Sequence, residues 1–346
     1  MSDLLAQLLS ERDYLMADGA IGTNLFAMGL ETGEAPELWN TDNPAKVRKL
    51  HDSFVDAGAD ILITNTFGAN SYRLKLHNAQ ARVHEINAAG VRIAREAADA
   101  AGRPVVVAAS MGPTGEIFQP VGTLSEADGE AAFAEQAEAQ AEAGADVHWI
   151  ETISGHEELS AAVRGASVTG LPIVSTMTFD TVGRTMMGLT TEDASKLGHA
   201  LSMELIAAGK TGLMAYGSNC GVGPATLVDS ILGLGRAANG GDILVAKGNC
   251  GIPQYDDGKI VYTGTPEIMA DYARLARDAG ARIIGGCCGT TAVHVRAMVD
   301  ALKDYTPREQ PTRDAIEAAL GPVDVAPPPR EGLDEAQARR RSRRRG

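Results

Sequence analysis

Short apolar runs recur along the chain, most of them preceded by a stretch of small and charged residues that closes on a glycine. Three of these junctions are near copies: Ala57-Gly58-Ala59-Asp60, Ala143-Gly144-Ala145-Asp146 and Ala279-Gly280-Ala281-Arg282. Each reads as the last turn of a helix, a glycine free to take the left-handed conformation that ends it, and the start of a strand. The runs that follow are continuously apolar rather than alternating, as in parallel strands covered on both faces. The pattern predicts eight strands: Leu15–Asp18, Asp60–Thr64, Pro104–Ala109, Asp146–Glu151, Pro172–Thr178, Gly212–Tyr216, Asp242–Ala246 and Ala281–Gly285. Segments of helical composition separate them, most clearly Ala127–Ala143, which is largely Ala, Glu and Gln.

Eight β-α units of such regular spacing predict an α/β fold, a single (β/α)8 TIM barrel over residues 15–305. No Gly-x-Gly-x-x-Gly follows the first strand, so nothing favours a dinucleotide-binding sheet. Residues 1–14 read as an N-terminal helix closing the bottom of the barrel, and residues 306–322 as a short extension. Beyond them, Pro327-Pro328-Pro329 and a run of arginines cannot bury enough apolar surface to order themselves, so 323–346 is expected to be a disordered basic tail.

Composition narrows the function. Aromatic residues are only 4% of the chain, so the core must come from Ala, Val, Ile, Leu and Met. The net charge is −14, and six of the 31 basic residues are the arginines 339–341 and 343–345; without them 25 basic residues stand against 45 acidic ones. A body that acidic is not expected to bind nucleic acid. The tail reads as solubilising, as a dock for an acidic partner, or as a nonspecific contact for RNA or anionic membrane. No run reaches the roughly 18 apolar residues of a membrane span, and the N-terminus lacks the basic start of a secretory signal, so the expected location is the cytoplasm. Four cysteines, two of them adjacent, make no disulfide framework and point to metal binding or chemistry.

In such barrels chemistry sits at the C-terminal ends of the strands. Here those ends carry Asp18-Gly19-Ala20, Asn65-Thr66-Phe67-Gly68, Gly112-Pro113-Thr114, Glu151-Thr152, Thr178-Phe179-Asp180, Gly217-Ser218-Asn219-Cys220, Lys247-Gly248-Asn249-Cys250 and Gly285-Gly286-Cys287-Cys288-Gly289-Thr290. Cys220, Cys287 and Cys288 end the sixth and eighth strands, expected to face each other across one rim. Three thiolates there suit a zinc ion with one open position; a free cysteine is otherwise a small buried hydrophobe. Cys250 could close the site as a fourth thiolate, though it reads better as a small rim residue.

These motifs, in this order, resemble the homocysteine S-methyltransferase family, which includes the betaine–homocysteine methyltransferases and the homocysteine-binding module of cobalamin-dependent methionine synthase. The resemblance runs from about Leu15 to Leu302. It implies that Cys220, Cys287 and Cys288 hold Zn2+, that zinc keeps homocysteine as a thiolate, and that this thiolate attacks a methyl donor to form methionine. It further implies that Asp18 and Glu151 bind the ammonium of homocysteine, with backbone N–H groups near Gly19 and Ala20 available for its carboxylate. Asn249 matches an asparagine expected to fill the fourth zinc position when homocysteine is absent, and Asn219 could orient Cys220 from behind. Alternatively Asp18 is a turn cap, Glu151 a strand-end ion pair and Asn249 a loop residue.

The donor is the open question. Betaine enzymes carry an aromatic directly after the strand-4 glutamate and another in the strand-2 loop, where this chain has Thr152 and Gly68. Only Trp39, in Pro36-Glu37-Leu38-Trp39-Asn40, stands out as a cage wall for a quaternary ammonium, with Tyr72 and Phe118 lacking motif support. The missing rings favour methylcobalamin carried by a separate partner protein, a divided methionine synthase; betaine and S-methylmethionine are the alternatives. Two other classes stay open: a non-catalytic zinc- or thiol-binding sensor, and a barrel lyase using Lys247 as a Schiff base.

Overall fold

The computed structural model describes residues 3–180, 182–256 and 259–323. Eight parallel strands form the barrel: β1 (Leu15–Met16), β2 (Ile61–Ile63), β3 (Val106–Met111), β4 (Val147–Ile153), β5 (Ile173–Met177), β6 (Leu213–Cys220), β7 (Leu244–Gly248) and β10 (Ala281–Gly286), with β8 (Pro253–Asp256) and β9 (Lys259–Tyr262) forming a separate antiparallel hairpin. Their spatial order is β1-β10-β7-β6-β5-β4-β3-β2, and a parallel bridge between Ala17 and Ile61 brings the two ends of that order together. The result is a nearly closed (β/α)8 barrel, as the recurring junctions predict. At all three of them the glycine is left-handed: Gly58 at φ 100°, Gly144 at 97° and Gly280 at 101°.

Alternation within each strand sorts side chains into two layers. Ala17, Ile61, Ile63, Val106, Ala108, Val147, Trp149, Val174, Ala215, Val245 and Ile283 fill the barrel interior, where Leu5, Leu8 and Leu9 of the helix Leu4–Glu11 join them from below. Met16, Leu62, Val107, Ala109, Ile150, Ile173, Ala246 and Ile284 face the surrounding helices. Asp3 caps the first helix through Ala6 N–H, and the Arg282 guanidinium donates to the Leu9 and Arg12 carbonyls at its other end. After the barrel, the helix Arg313–Leu320 packs Ile316 and Leu320 into the outer layer. The basic tail lies, from residue 324 on, outside the described residues. No helix among the described residues is long and apolar enough to cross a membrane.

Two differences from the sequence reading bear on the site. β4 runs to Ile153 and β6 to Cys220, beyond their expected ends at Glu151 and Tyr216, because pairing continues through Ile153↔Met177, Met177↔Ser218 and Cys220↔Gly248. Cys220 therefore stands on a strand rather than in a loop, and Glu151 lies within β4 rather than at its end. The hairpin β8–β9 was not expected, although Asp257-Gly258 is a hairpin signal in the sequence itself.

His51 is fully buried beneath Val47, Leu50 and Phe54 of its own helix, and neither ring nitrogen has a hydrogen-bond partner. Burial lowers its pKa from 6.5 to about 4. Between those values the unfolded chain takes up a proton that the folded chain refuses, so this contribution is complete above pH 6.5 and is lost as the pH falls towards 4. At pH 5 the loss from this one residue should be about 2 kcal/mol relative to pH 7.5. His148, lowered to about 3 by burial, acts in the same direction. The expected result is that His51→Leu loses less stability between pH 7.5 and pH 5 than the parent in urea unfolding; parallel pH slopes would contradict it.

Candidate active site

β7 lies between β6 and β10, so the two cysteine-bearing strands are its neighbours on either side rather than facing each other across the mouth. Cys220, the last residue of β6, and Gly286, the last of β10, are both in register with Gly248. The Cys287 N–H then donates to the Gly248 carbonyl (2.7 Å), and the Cys288 carbonyl accepts the Cys250 N–H (2.9 Å). These constraints place the Sγ atoms of Cys220, Cys287 and Cys288 within 4.8 Å of one another, each residue half-buried. Gly248 itself leaves no room for a side chain, because a Cβ there would lie 2.9 Å from the Tyr272 ring, whose hydroxyl accepts the Gly248 N–H. Cys220 is left-handed (φ 63°), a conformation that costs a non-glycine residue roughly 1–2 kcal/mol and gathers at functional sites.

A tetrahedral zinc with bonds of about 2.3 Å holds its sulfurs about 3.8 Å apart, so the spacing and donor type fit that ion. Cys220 is raised well above a free thiol by its hydrogen bonds to Cys287 and Cys288 and by burial. Cys288 is lowered because Cys220, Cys287 and the Tyr262 hydroxyl all hydrogen-bond to it. Tyr262, brought by the unexpected hairpin, packs its ring over Gly289, where a Cβ would lie 2.4 Å away. Cys250 stands apart: it is buried, its thiol donates to the Gly264 carbonyl (3.2 Å), and it does not join the cluster.

The cysteines open onto a cavity of about 320 Å³ at the strand ends, lined also by Gly19, Glu151 and Lys247. Glu151 is 8% exposed, accepts the Ser110 hydroxyl (2.5 Å), and is pushed up to about 7 chiefly by burial. Asp18 is fully buried and does not line the cavity; its Oδ2 accepts the Ile63 N–H (2.8 Å) and its Oδ1 the Lys247 ammonium (3.0 Å). Lys247, 3% exposed, reaches past β10 to Asp18 at the end of β1, with its ammonium 5.9 Å from the Trp149 ring. Burial works to push its pKa down, but Asp18, Glu151 and Cys287 outweigh that and hold the ammonium charged, which argues against a Schiff-base lysine. The Ala20 N–H, expected to be free for a carboxylate, already donates to the Thr290 carbonyl (3.0 Å).

The two asparagines brace the site. Asn219 Oδ1 accepts the Thr152 N–H and the Thr176 hydroxyl, and its Nδ2 donates to the Thr152 hydroxyl (2.7 Å) and more weakly to Cys287 Sγ (3.9 Å). Its sulfur contact is thus with Cys287, not the expected Cys220. Asn249 Nδ2 donates to the Gly221 carbonyl (2.6 Å) and its Oδ1 accepts the Cys288 N–H (3.0 Å), so it ties the two cysteine loops together.

On the donor side the expectation for Trp39 fails. Trp39 is buried in the outer core with the Lys46 ammonium 4.4 Å from its ring centre, and it does not line the cavity. Tyr72 packs against the same core. The rings at the cysteine cavity are Phe26 and Phe67, beside the buried carboxylate of Glu37, which accepts the Gly68 N–H (2.7 Å). Nothing in their local sequence singles out Phe26 or Glu37; only folding brings them to the mouth. A second cavity of about 550 Å³ meets the first at Thr152 and Cys220 and includes Phe118, with Ile117, Val121, Met186 and Met187 exposed along it.

Comparison with known proteins agrees with this geometry. The family model described as homocysteine S-methyltransferase matches residues 15–302. The chain is 31% identical over 318 residues to the methionine synthase of Mycobacterium tuberculosis (strain ATCC 25618 / H37Rv) and 29% identical over 318 residues to that of Mycobacterium leprae (strain TN). Each match covers 87% of this chain but 25% of the relative, so the chain spans about a quarter of the length of these relatives. Among solved structures, the metallated form of the homocysteine methyltransferase MmuM from Escherichia coli superposes with a TM-score of 0.70 at 25% identity, covering 85% of this chain and 98% of that one. The oxidised form gives the same TM-score and identity, covering 86% and 99%.

Removing the bracing amide should loosen the sulfurs without removing one. Asn219→Leu is expected to weaken zinc binding by roughly 10- to 100-fold, measured by competition with a chromogenic chelator, whereas Cys250→Ser should leave both stoichiometry and affinity unchanged. Loss of zinc in the Cys250 variant would mean that a fourth thiolate takes part.

Proposed function

The chain belongs to the homocysteine S-methyltransferase family, and from that premise we propose that it methylates homocysteine to methionine at a zinc ion held by Cys220, Cys287 and Cys288. The observation that carries this reading is the convergence of the three sulfurs at the mouth of the barrel. When bound, zinc would hold the substrate sulfur as a thiolate at neutral pH, where a free thiol is largely protonated. The protein does the rest. Three cysteines leave one position facing the cavity, and Glu151 offers a carboxylate to the substrate ammonium. Asn219 and Asn249 hold the strand ends in place, and we assign Asn249 this positioning part rather than that of a resting ligand, since its amide is already engaged at both ends. The substrate sulfur supplies the electron pair for the new S–C bond, and the electrons of the broken bond leave with the donor.

For the donor we propose a methylcorrinoid carried by a partner protein. Thr152 offers no ring beside Glu151, Trp39 is buried, and the second cavity, which meets the first at Cys220, has an exposed apolar rim suited to being covered by a partner. A small cationic donor such as betaine or S-methylmethionine is the second reading, favoured by Phe26, Phe67 and the Glu37 carboxylate at the same mouth.

The test supplies zinc-loaded protein and homocysteine with methylcobalamin, betaine or S-methylmethionine in separate reactions and measures methionine. Turnover with methylcobalamin alone is expected; turnover with a small cation alone would replace the corrinoid reading, and none with any donor would favour a thiol-binding sensor. Cys288→Ala should lose both zinc and methionine formation, and full activity in that variant without zinc would sink the mechanism.

A further inference from the structure

We propose that the arginine cluster at 339–345 docks, within its own chain, on the acidic rim of the second cavity and covers it. The inference goes beyond the function proposed above and does not depend on which donor the site uses.

The described chain ends at the barrel mouth, beside that cavity. After the helix Arg313–Leu320 it runs to Val323, which is buried and whose carbonyl accepts the Thr226 hydroxyl (2.5 Å). Thr226 lies in the first turn of the helix Pro224–Ala237, which starts four positions after Cys220. Gly221 and Val222, between that helix and Cys220, line the second cavity. Four residues, from Val222 to Thr226, span at most about 14 Å. The segment from residue 324 on therefore departs close to the cavity edge. Arg339 follows Val323 by sixteen positions. A coil of that length spans about 20–24 Å on average, and a fully extended chain about 55 Å. The arginines can thus reach across a cavity of about 550 Å³ that opens beside their point of departure.

Charge gives the cluster a reason to settle there. Glu116, Glu157, Glu158 and Asp180 line the cavity, and no Lys, Arg or His among the described residues does. Glu116 is exposed and Glu157 half-buried, whereas Glu158 is buried and already accepts the Thr114 N–H (2.8 Å) and hydroxyl (2.7 Å). Arg184, in the loop after β5, gives its guanidinium to the Gly188 carbonyl (2.9 Å) and does not line the cavity. Residues 336–346 hold six arginines and no acidic residue. Arginine also suits a lining of mixed character. Its guanidinium pairs with carboxylates through parallel hydrogen bonds, and its methylene stem lies on apolar surface such as that of Ile117 (55% exposed) and Met186 (74% exposed). Single exposed pairs of this kind are weak, but a tether raises the local concentration of the cluster to the millimolar range. Acidic residues occur all over the body, and the departure of the chain at Thr226 is what selects these. Because this cavity shares Thr152 and Cys220 with the cysteine cavity, a docked cluster would stand between the cysteines and whatever approaches from that side.

The test follows a fluorescein-labelled peptide of residues 336–346 by anisotropy as full-length protein is added. One variant combines R339Q, R340Q, R341Q, R343Q, R344Q and R345Q, which removes the charge of the cluster and keeps the chain length. The peptide is expected to bind this neutral-tail variant and to bind the parent roughly 10-fold more weakly, because the parent's own arginines hold the site. That ratio corresponds to a tethered cluster at about 1 mM against a dissociation constant of about 0.1 mM. Adding Glu116→Gln and Glu157→Gln to the neutral-tail variant should weaken the peptide roughly 3- to 10-fold. Glu135→Gln with Glu138→Gln, both exposed on the helix Glu126–Glu142, removes the same charge elsewhere and should leave binding unchanged. Equal peptide binding by the parent and the neutral-tail variant overturns the proposal. So does an equal loss from the two glutamate pairs, which would reduce the attraction to net charge, and so does the absence of saturable binding to the neutral-tail variant. Light scattering supplies the masses: a dimer formed by the parent and not by the neutral-tail variant would put the cluster on a second copy and overturn docking within the chain.

Discussion

Gly248 is paired on both sides at one level, to Cys220 on β6 and to Gly286 on β10, and that double pairing decides how far apart the sulfurs stand. The barrel needs β7 between these two strands, so cysteines more than sixty positions apart in sequence arrive as neighbours without any long loop to carry them. Because strand register slips only by whole residues, the spacing is insensitive to small movements of the surrounding helices. Glycine at 248 is required because Tyr272 occupies the space of its Cβ, and the same tyrosine accepts its N–H. Part of the strain is concentrated in Cys220, the one cluster cysteine with a left-handed backbone, and the Asn219 amide holds the neighbouring strand end against it.

Beneath the cysteines the barrel gives up part of its apolar filling to Asp18 and Lys247. A buried ion pair stabilises little on balance, because desolvation consumes most of the attraction, while breaking one by removing a single partner is costly. Ser110 and Lys247 also reduce the cost of burying Glu151, whose pKa burial still pushes up to about 7.

The two cavities divide the mouth. One holds Lys247, Glu151 and the cysteines; the other is larger and sets Glu116, Glu157, Glu158 and Asp180 beside its apolar residues, and they share Thr152 and Cys220. A sulfur at the cysteines would thus lie at the boundary between the substrate side and the side from which a methyl group arrives. Thr152 is left-handed like Cys220, and Asn219 bonds to both its backbone and its hydroxyl, so this boundary is among the most tightly braced parts of the molecule.

The chain pattern alone determined the barrel, the glycine-terminated helices and the placing of three cysteines at strand ends, because these rest on local rules. Left-handed caps, continuous apolar strands and the concentration of unusual residues at strand ends are all read within a few positions. The ends of β4 and β6 were placed too early, since their last residues are held by pairing with neighbours and not by their own composition. Tertiary structure alone decided that Trp39 is core while Phe26 and Glu37 reach the mouth, that Cys250 turns away to Gly264, and that Lys247 reaches past β10 to Asp18. Each of these depends on which way a side chain points across strands distant in sequence. Local patterning sets which element a residue belongs to; the closure and register of the barrel set what that residue meets.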